Sequence, residues 1–211
     1  MLIPIFHSFV IAITSSAIAF ALMLPLAYAG AFVRYPGKIG VEIGLLLPLV
    51  LPPTVIGLYL LQLLGKYGPL ASLGHALIFS LSGSILATTL VILPIVYQGL
   101  KSAILSVSGD LIDEGKMAGA SKCQLLWHIL LPNSQTIVVA SLLLAFCRAL
   151  GEFGASLMVA GYIPGMTDTV ANTIYFATQN GDTQLANLLA AVNLLFGALT
   201  LVLLHFISRK K

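Results

Sequence analysis

Two charged side chains inside an apolar stretch are the first candidates for chemistry in this 211-residue chain. Arg148 and Glu152 lie four positions apart in the apolar run 136–160, so a helix would place them on one face, where they can pair. Charges inside a bilayer are costly and usually face a bundle interior or a cavity. The two residues are therefore candidates for a translocation pathway or gate, and a structural ion pair is the alternative. Because Glu152 offsets the charge of Arg148, the pair does not by itself make an anion site.

The remaining reactive side chains form no catalytic or metal-binding pattern. The four histidines have no spacing typical of a metal site, and the sequence contains no Walker-type glycine loop, nucleophile elbow or zinc motif. The basic residues are not clustered as a nucleic-acid partner would require. We therefore expect no catalytic residue, no metal or other cofactor and no nucleic-acid partner for this chain.

Composition places these residues in a membrane protein. Hydrophobic residues make up 59% of the chain and charged residues 8%, with a mean hydropathy of +1.04. The charges fall in groups separated by apolar runs of roughly 20 residues, enough for a helix to cross a bilayer. We predict a single-domain, all-α integral membrane protein over residues 1–211, with about five transmembrane helices. The predicted spans are 8–30, 42–64, 77–99, 136–160 and 184–207.

The second predicted span carries an unusual density of proline. Pro48, Pro52 and Pro53 lie within eleven residues that end at Gly57. Each proline removes a backbone donor, which a membrane protein tolerates where protein or water satisfies the freed carbonyls. A span broken in this way is expected to border a cavity or to move during function. Pro52, Pro53 and Gly57 therefore join Arg148 and Glu152 as gate candidates.

The basic residues predict an orientation. Eight of the ten fall on one side of the five-span arrangement, whereas the opposite loops contain Lys66 alone. By the positive-inside rule the N-terminus is outside the cell membrane, and the 101–133 loop and the C-terminus are cytoplasmic. The eight residues are Arg34, Lys38, Lys101, Lys116, Lys122, Arg209, Lys210 and Lys211.

The 101–133 loop is predicted to form two short amphipathic helices. Gly119 separates them, as a residue with positive φ at a helix end would. Pro132 ends the second helix just before the fourth span. Two short helices joined at a glycine would make a rigid projection on the cytoplasmic face.

The same loop resembles the EAA loop of ABC importer permeases. Asp113 stands at the acidic position, Gly119 follows six positions later, and Ile129-Leu-Leu-Pro132 supplies the Ile-x-Leu-Pro element ten positions after the glycine. The sequence departs from the family pattern in having aspartate for glutamate, and Glu114 and Gly115 for two alanines. The resemblance implies that this loop couples the chain to a partner ATPase through Asp113, Glu114, Gly115, Gly119, Ile129, Leu131 and Pro132.

Further motifs resemble the permeases of tetrahedral oxyanions. The Arg-Ala-Leu-Gly-Glu element at 148–152 is shared with sulfate and molybdate permeases. The Pro-Leu-Val-Leu-Pro-Pro run at 48–53, Gly-Pro-Leu at 68–70 and Ile-Pro-Gly-x-Thr at 163–167 are closer to the molybdate or tungstate branch.

This resemblance implies an ATP-driven importer and its usual partners. Two copies of the chain would form a homodimeric pore, two cytoplasmic ATPase subunits would bind ATP and Mg²⁺, and an extracytoplasmic binding protein would deliver molybdate or tungstate. A sulfate or thiosulfate permease is the alternative within the family. An ion-coupled secondary transporter is the alternative outside it, but such a protein predicts inverted repeats and leaves the loop unexplained.

The predicted orientation can be tested by cysteine labelling in intact cells. Cysteines near Lys116 and at Thr167 should react with a membrane-impermeant reagent from opposite sides, because an odd number of spans separates them. Labelling of both positions from outside would contradict the five-span arrangement.

Overall fold

A computed structural model describes residues 2–209, and this part of the chain is helical with no strand. The prediction of an all-α fold is confirmed. Within the helix Lys122–Asn133, the turns at Leu125–Leu130 are π-helical. The helices are α1 (Leu2–Phe32), α2 (Lys38–Val50), α3 (Pro53–Leu64), α4 (Ala71–Leu77), α5 (Leu81–Leu105), α6 (Gly109–Met117), α7 (Lys122–Asn133), α8 (Gln135–Leu150), α9 (Gly154–Ala160), α10 (Val170–Gln179) and α11 (Thr183–Arg209).

Three described helices, α1, α5 and α11, are long and apolar enough to cross a membrane alone. Two bent pairs also pass this test, namely α2 with α3, bent by 114°, and α7 with α8, bent by 81°. The described residues therefore hold three spans, or up to five if each bent pair counts as one. The number of spans and the orientation stay predictions.

The helices differ from the predicted spans at several boundaries. The span predicted at 42–64 is divided between α2 and α3, and the span predicted at 136–160 is divided between α8 and α9. Helix α1 begins at Leu2 rather than near residue 8. Helix α5 runs to Leu105, so the first five residues of the predicted 101–133 loop are helical. Lys210 and Lys211, which support the predicted orientation, lie outside the described residues.

The break between α2 and α3 follows from two consecutive prolines. Leu51 and Pro52 each precede a proline, which disfavours the helical region, and both are extended with ψ of 140° and 136°. Pro53 then stands at the first position of α3, where its missing N–H costs no helical hydrogen bond. By contrast, Pro25, Pro48 and Pro94 remain inside α1, α2 and α5. Consecutive prolines, rather than proline alone, interrupt this segment.

Helix α5 occupies the centre of the fold. It packs against α1, α2, α8 and α9, and neighbouring residues on α5 serve two different cores. Ile92 belongs to a core built with α1 and α8, which also includes Ile112 of α6 and Leu130 of α7. Val91 belongs to a second core shared with α3 and α9. Helix α11 packs mainly against α8 and α10 and leaves most of its apolar surface exposed.

Small and hydroxyl-bearing residues let the central helices approach closely. Ser15 of α1 donates a hydrogen bond to the Ile85 carbonyl of α5 at 3.1 Å. Ser84 of α5 and Ser156 of α9 lie 3.2 Å apart, oxygen to oxygen. Small residues and interhelical hydrogen bonds of this kind are typical of packing between membrane helices, where lipid supplies no hydrophobic driving force.

The labelling positions can be refined with the structure. Thr167 is fully buried, whereas the neighbouring Met166 is 61% exposed. A cysteine at Met166 is therefore the better probe of the connection between α9 and α10. The native Cys123, exposed at the start of α7, serves as the probe of the other side.

The contact between α3 and α9 predicts that Gly57 tolerates no side chain. A Cβ on Gly57 would lie 2.7 Å from the Met158 Cβ and 3.0 Å from the Ala155 backbone. We expect Gly57→Ala to destabilise the fold by about 1–3 kcal/mol through overpacking, seen as a lower unfolding midpoint in detergent. Gly40→Ala is the matched control, since a Cβ on Gly40 meets no atom within 4 Å. Equal midpoints for both variants would contradict this close packing.

Candidate functional site

The turn between α6 and α7 is built by a glycine in the left-handed conformation. Gly119 has φ of +80°, as the sequence predicted. The Gly119 N–H donates to the Lys116 carbonyl, and the Ala120 N–H donates to the Gly115 carbonyl. These two bonds form a Schellman motif, which satisfies carbonyls that would otherwise lack partners at the end of α6. A residue with a Cβ is disfavoured at this position because of its φ, and not because of crowding, since no atom lies within 4 Å.

A capping box starts α7 directly after this turn. The Gln124 N–H donates to the Ser121 hydroxyl at 3.3 Å, and the Ser121 N–H donates to the Gln124 side-chain oxygen at 2.8 Å. Each residue thus satisfies a backbone donor that the helix start leaves free. The stop signal of α6 and the start signal of α7 lie within ten residues, so the angle between the helices is fixed locally.

Side-chain packing fixes the two helices against each other. A Cβ on the buried Gly115 would overlap Ile129 Cδ1 and lie 2.9 Å from Leu125 Cδ2, so a larger residue would push α7 away. Ile112 of α6 and Leu130 of α7 reach the core formed with α1 and α5. Residues 106–133, called here the α6–α7 segment, are therefore rigid internally and attached to the membrane helices.

The seven residues predicted to couple to an ATPase divide into two groups. Asp113, Glu114, Gly119 and Pro132 are exposed, and Asp113 pairs with Lys116 at 2.8 Å on the outer face of α6. The others pack inside the segment or against the bundle: Gly115 is buried, and Ile129 and Leu131 are partly buried. Outside this set of seven, the large apolar side chains of Met117 and Trp127 are 81% and 53% exposed.

The second candidate region brings two helix breaks together. Gly154, at the start of α9, faces the start of α3: a Cβ there would lie 2.9 Å from Thr54 Cγ2, 3.2 Å from the Thr54 backbone nitrogen and 3.5 Å from Pro53 Cβ. One turn later in α3, Gly57 packs closely against Ala155 and Met158 of α9. Of the predicted gate residues, Pro53 and Gly57 thus lie in this contact, whereas Pro52 is exposed at the bend.

The predicted ion pair between Arg148 and Glu152 is present and spans the break between α8 and α9. Arg148 Nη1 lies 2.7 Å from Glu152 Oε2. This contact is an ion pair and not a well-directed hydrogen bond, because Oε2 has no hydrogen-bond partner of acceptable geometry within residues 2–209. The Glu152 side chain is 1% exposed and that of Arg148 is 34% exposed. The buried carboxylate is therefore compensated on one side, by a side chain that is itself partly exposed.

Glu152 also has a capping role that the sequence analysis missed. Its Oε1 accepts a hydrogen bond from the Ala155 N–H at 2.9 Å, which satisfies a free donor in the first turn of α9. One side chain thus joins the end of α8, through Arg148, to the beginning of α9. A carboxylate shortly before a Gly-Ala-Ser run was the available signal, but it requires that the helix be known to break.

Two further contacts were also missed, because they join residues distant in sequence. His7 Nδ1 lies 2.9 Å from Asp168 Oδ1 and 3.1 Å from the Asp168 carbonyl oxygen, which ties α1 to the connection before α10. Both oxygens are acceptors here, so Nδ1 carries the proton. In the other contact, Glu42 Oε1 accepts hydrogen bonds from Lys101 Nζ at 2.7 Å and Tyr97 Oη at 3.2 Å.

Within residues 2–209, no group of three or more His, Cys, Asp or Glu side chains is placed to hold a metal ion. The arrangement instead offers a rigid exposed projection at the α6–α7 segment and a closely packed pair of helix breaks. The first leaves charged and large apolar side chains exposed, and the second leaves little space between its two helices.

Comparison with known proteins identifies the family. Residues 1–210 match the family described as binding-protein-dependent transport system inner membrane component. The molybdenum transport system permease protein ModB of Escherichia coli strain K12 is 30% identical over 206 residues, covering 93% of this chain and 90% of ModB. ModB of Azotobacter vinelandii is 32% identical over 183 residues, covering 84% and 80%.

A solved structure shares the fold. A bacterial alginate ABC transporter, crystallised in complex with an alginate pentasaccharide-bound periplasmic protein, contains a chain that matches with a TM-score of 0.74 at 16% identity. The match covers 99% of this chain and 78% of that one. From the family match and the sequence relatives, this chain belongs to the inner membrane components of binding-protein-dependent transport systems.

Proposed function

We propose that this chain is the membrane subunit through which an ATP-driven importer moves molybdate or tungstate. The observation that carries the proposal is the agreement between the sequence relatives, named as molybdenum transport permeases, and the rigid α6–α7 segment. The motifs at 48–53 and 163–167 support the same branch of the family. The substrates would be tetrahedral dianions of the size of molybdate and tungstate.

The proposed complex contains two copies of this chain as a homodimer, two ATPase subunits on the cytoplasmic side and an extracytoplasmic binding protein. The family description implies a binding protein, and a binding protein accompanies the structural neighbour. ATP and Mg²⁺ would be held by the ATPase subunits, so this chain contributes no catalytic site. The N-terminus lies outside and the C-terminus in the cytoplasm.

In this proposal the α6–α7 segment is the ATPase contact. Glu114 supplies exposed negative charge beside the exposed Asp113–Lys116 pair, and Met117 and Trp127 supply exposed apolar area on the same segment. Gly119 and the packing of Gly115 on Ile129 keep the two helices in one arrangement. A stiff projection transmits displacement to the helices that it contacts, whereas a flexible loop would absorb it.

The packed helix breaks are the proposed moving part of the pathway. Discontinuous helices in transporters are typical of substrate pathways near the middle of the bilayer. The Arg148 side chain is partly exposed beside a buried Glu152, so a passing dianion would meet a partly compensated positive charge. Such a charge attracts the ion without holding it tightly.

The first test concerns coupling, through Gly119→Val and Asp113→Lys. A β-branched residue at φ of +80° costs on the order of 1–3 kcal/mol or tilts α7, and the lysine reverses a charge at the contact. We expect both variants to reduce co-purification of the ATPase, or to separate ATP hydrolysis from uptake, with the chain still inserted and dimeric.

Gly57→Val is the control for this test, since it disturbs the α3–α9 contact but not the α6–α7 segment. It should impair uptake while leaving the ATPase bound. If Gly119→Val and Asp113→Lys both kept full ATPase binding and full uptake, the segment would be an ordinary surface hairpin and the proposed coupling would be wrong.

The second test concerns the substrate. The complex, reconstituted in proteoliposomes with its ATPase and binding protein, should hydrolyse ATP faster when the binding protein is loaded with molybdate or tungstate. Binding protein loaded with sulfate should give less stimulation. Equal or greater stimulation by the sulfate-loaded protein would favour the sulfate permease that the Arg-Ala-Leu-Gly-Glu element also allows.

A further inference from the structure

A polar cluster of three residues joins helices α1, α2 and α5. Glu42 Oε1 of α2 accepts hydrogen bonds from both Lys101 Nζ and Tyr97 Oη of α5. Lys101 Nζ also lies 5.7 Å from the centre of the Tyr97 ring. The Tyr97 hydroxyl is so close to α1 that a Cβ on Gly30 would overlap it. Glu42 Oε1 thus accepts hydrogen bonds from two side chains of α5, at the point where α5 contacts both α1 and α2.

The burial of these residues gives the contact its strength. Tyr97 is 2% exposed, and the side chains of Glu42 and Lys101 are 24% and 22% exposed. A hydrogen bond between charged groups in such a setting is shorter and stronger than a neutral one, whereas a fully exposed pair contributes little. Without Glu42, the buried Tyr97 hydroxyl and the partly buried Lys101 ammonium would lose the acceptor that they share.

Helix α2 has few other contacts that could fix its position. None of its residues is buried, and it packs against α5. Leu45 and Leu46 add partly buried contacts to the same core. Glu42 is the residue whose side chain fixes α2 to α5 through directed bonds, so it determines where α2 lies along α5.

The position of the cluster relates it to both parts of the candidate site. Lys101 lies one turn before Leu105, where α5 ends and the chain enters the α6–α7 segment. In the other direction, α2 leads through the Leu51–Pro52 bend into α3, which contacts α9 at Gly57. The cluster is therefore located between the segment proposed to bind the ATPase and the packed helix breaks.

We infer that Glu42 is a positioning residue that makes α2 and α3 follow α5 when the α6–α7 segment is displaced. This inference rests on the proposed function and adds a route for its mechanical coupling. Because Tyr97 and Lys101 are both on α5, a shift of α5 pulls Glu42 with it, and the rigid α2 transfers the shift to the bend. Glu42 contacts no substrate in this role.

The experiment uses the complete reconstituted complex and measures oxyanion transported per ATP hydrolysed. Glu42→Ala and Lys101→Ala should each lower this ratio by about two- to thirty-fold, the range found for changes along coupled networks. The charge-exchanged double variant, Glu42→Lys with Lys101→Glu, should recover a ratio above either single variant. ATPase co-purification and dimer yield should stay at the level of the unaltered complex.

Lys38→Gln is the matched control. It removes one charge from the same helix, one turn before Glu42, but Lys38 Nζ bonds the Val33 carbonyl and not α5. Its ratio should equal that of the unaltered complex.

Three results would overturn the inference while leaving the proposed function intact: an unchanged ratio in Glu42→Ala, a lowered ratio that the exchanged pair does not recover, or a loss of ATPase binding that accounts for the whole effect. If the unaltered complex itself transported no oxyanion, the proposed function would fail, and the inference would fail with it.

Discussion

Hydrocarbon offers a peptide backbone no hydrogen-bond partners, and this constraint shapes both the regular and the interrupted parts of the fold. Long helices such as α1 and α11 satisfy their own backbone groups and can contact lipid along their length. An interrupted helix cannot do so, and its free backbone groups must be satisfied by protein or by water. The two breaks, at Leu51–Pro52 and at 151–153, meet this requirement in different ways. Glu152 supplies an acceptor to the Ala155 N–H, whereas the proline ring of Pro53 removes the need for one.

The close packing of protein beside these breaks also explains why glycines lie next to them. Gly57 and Gly154 bring α3 and α9 within backbone contact, which leaves no room for lipid between the two interrupted helices. A contact of this kind is dense but small in area, and it is made by two short helices attached through bends. Both helices also pack against α5, through the core that they share with Val91.

Local chemistry made much of this structure predictable. Apolar run lengths indicated the long helices, the φ of Gly119 followed from its place between two amphipathic segments, and the spacing of Arg148 and Glu152 indicated their pairing. The prolines at 52 and 53 marked the division of the second span, although its size of 114° depends on tertiary packing. The break after Leu150 was not predicted, because a Gly-Glu-Phe sequence contains no proline and is compatible with a continuous helix.

Contacts between distant residues could not be read from the sequence. His7 and Asp168 are 161 positions apart, and Glu42 lies 55 and 59 positions from its partners. Periodicity and motif spacing carry no information at such separations. Glu42 in particular stood at the edge of a predicted span, where a single carboxylate suggests only the membrane boundary. Its contacts with α5 require that this helix continue through Lys101.

The α6–α7 segment departs from the family pattern at one exposed residue and one buried residue, and the two changes have different physical effects. Glu114 replaces an alanine on the exposed face, where an added charge disturbs no internal contact and alters only the surface that a partner meets. Gly115 replaces the other alanine at a buried position, where it lets α6 approach Ile129 and Leu125 more closely. The first departure therefore changes only the exposed charge of the segment, and the second sets how closely the two helices pack. In the proposed complex, Glu114 would add negative charge to the ATPase contact, and Trp127 would add exposed apolar area to it.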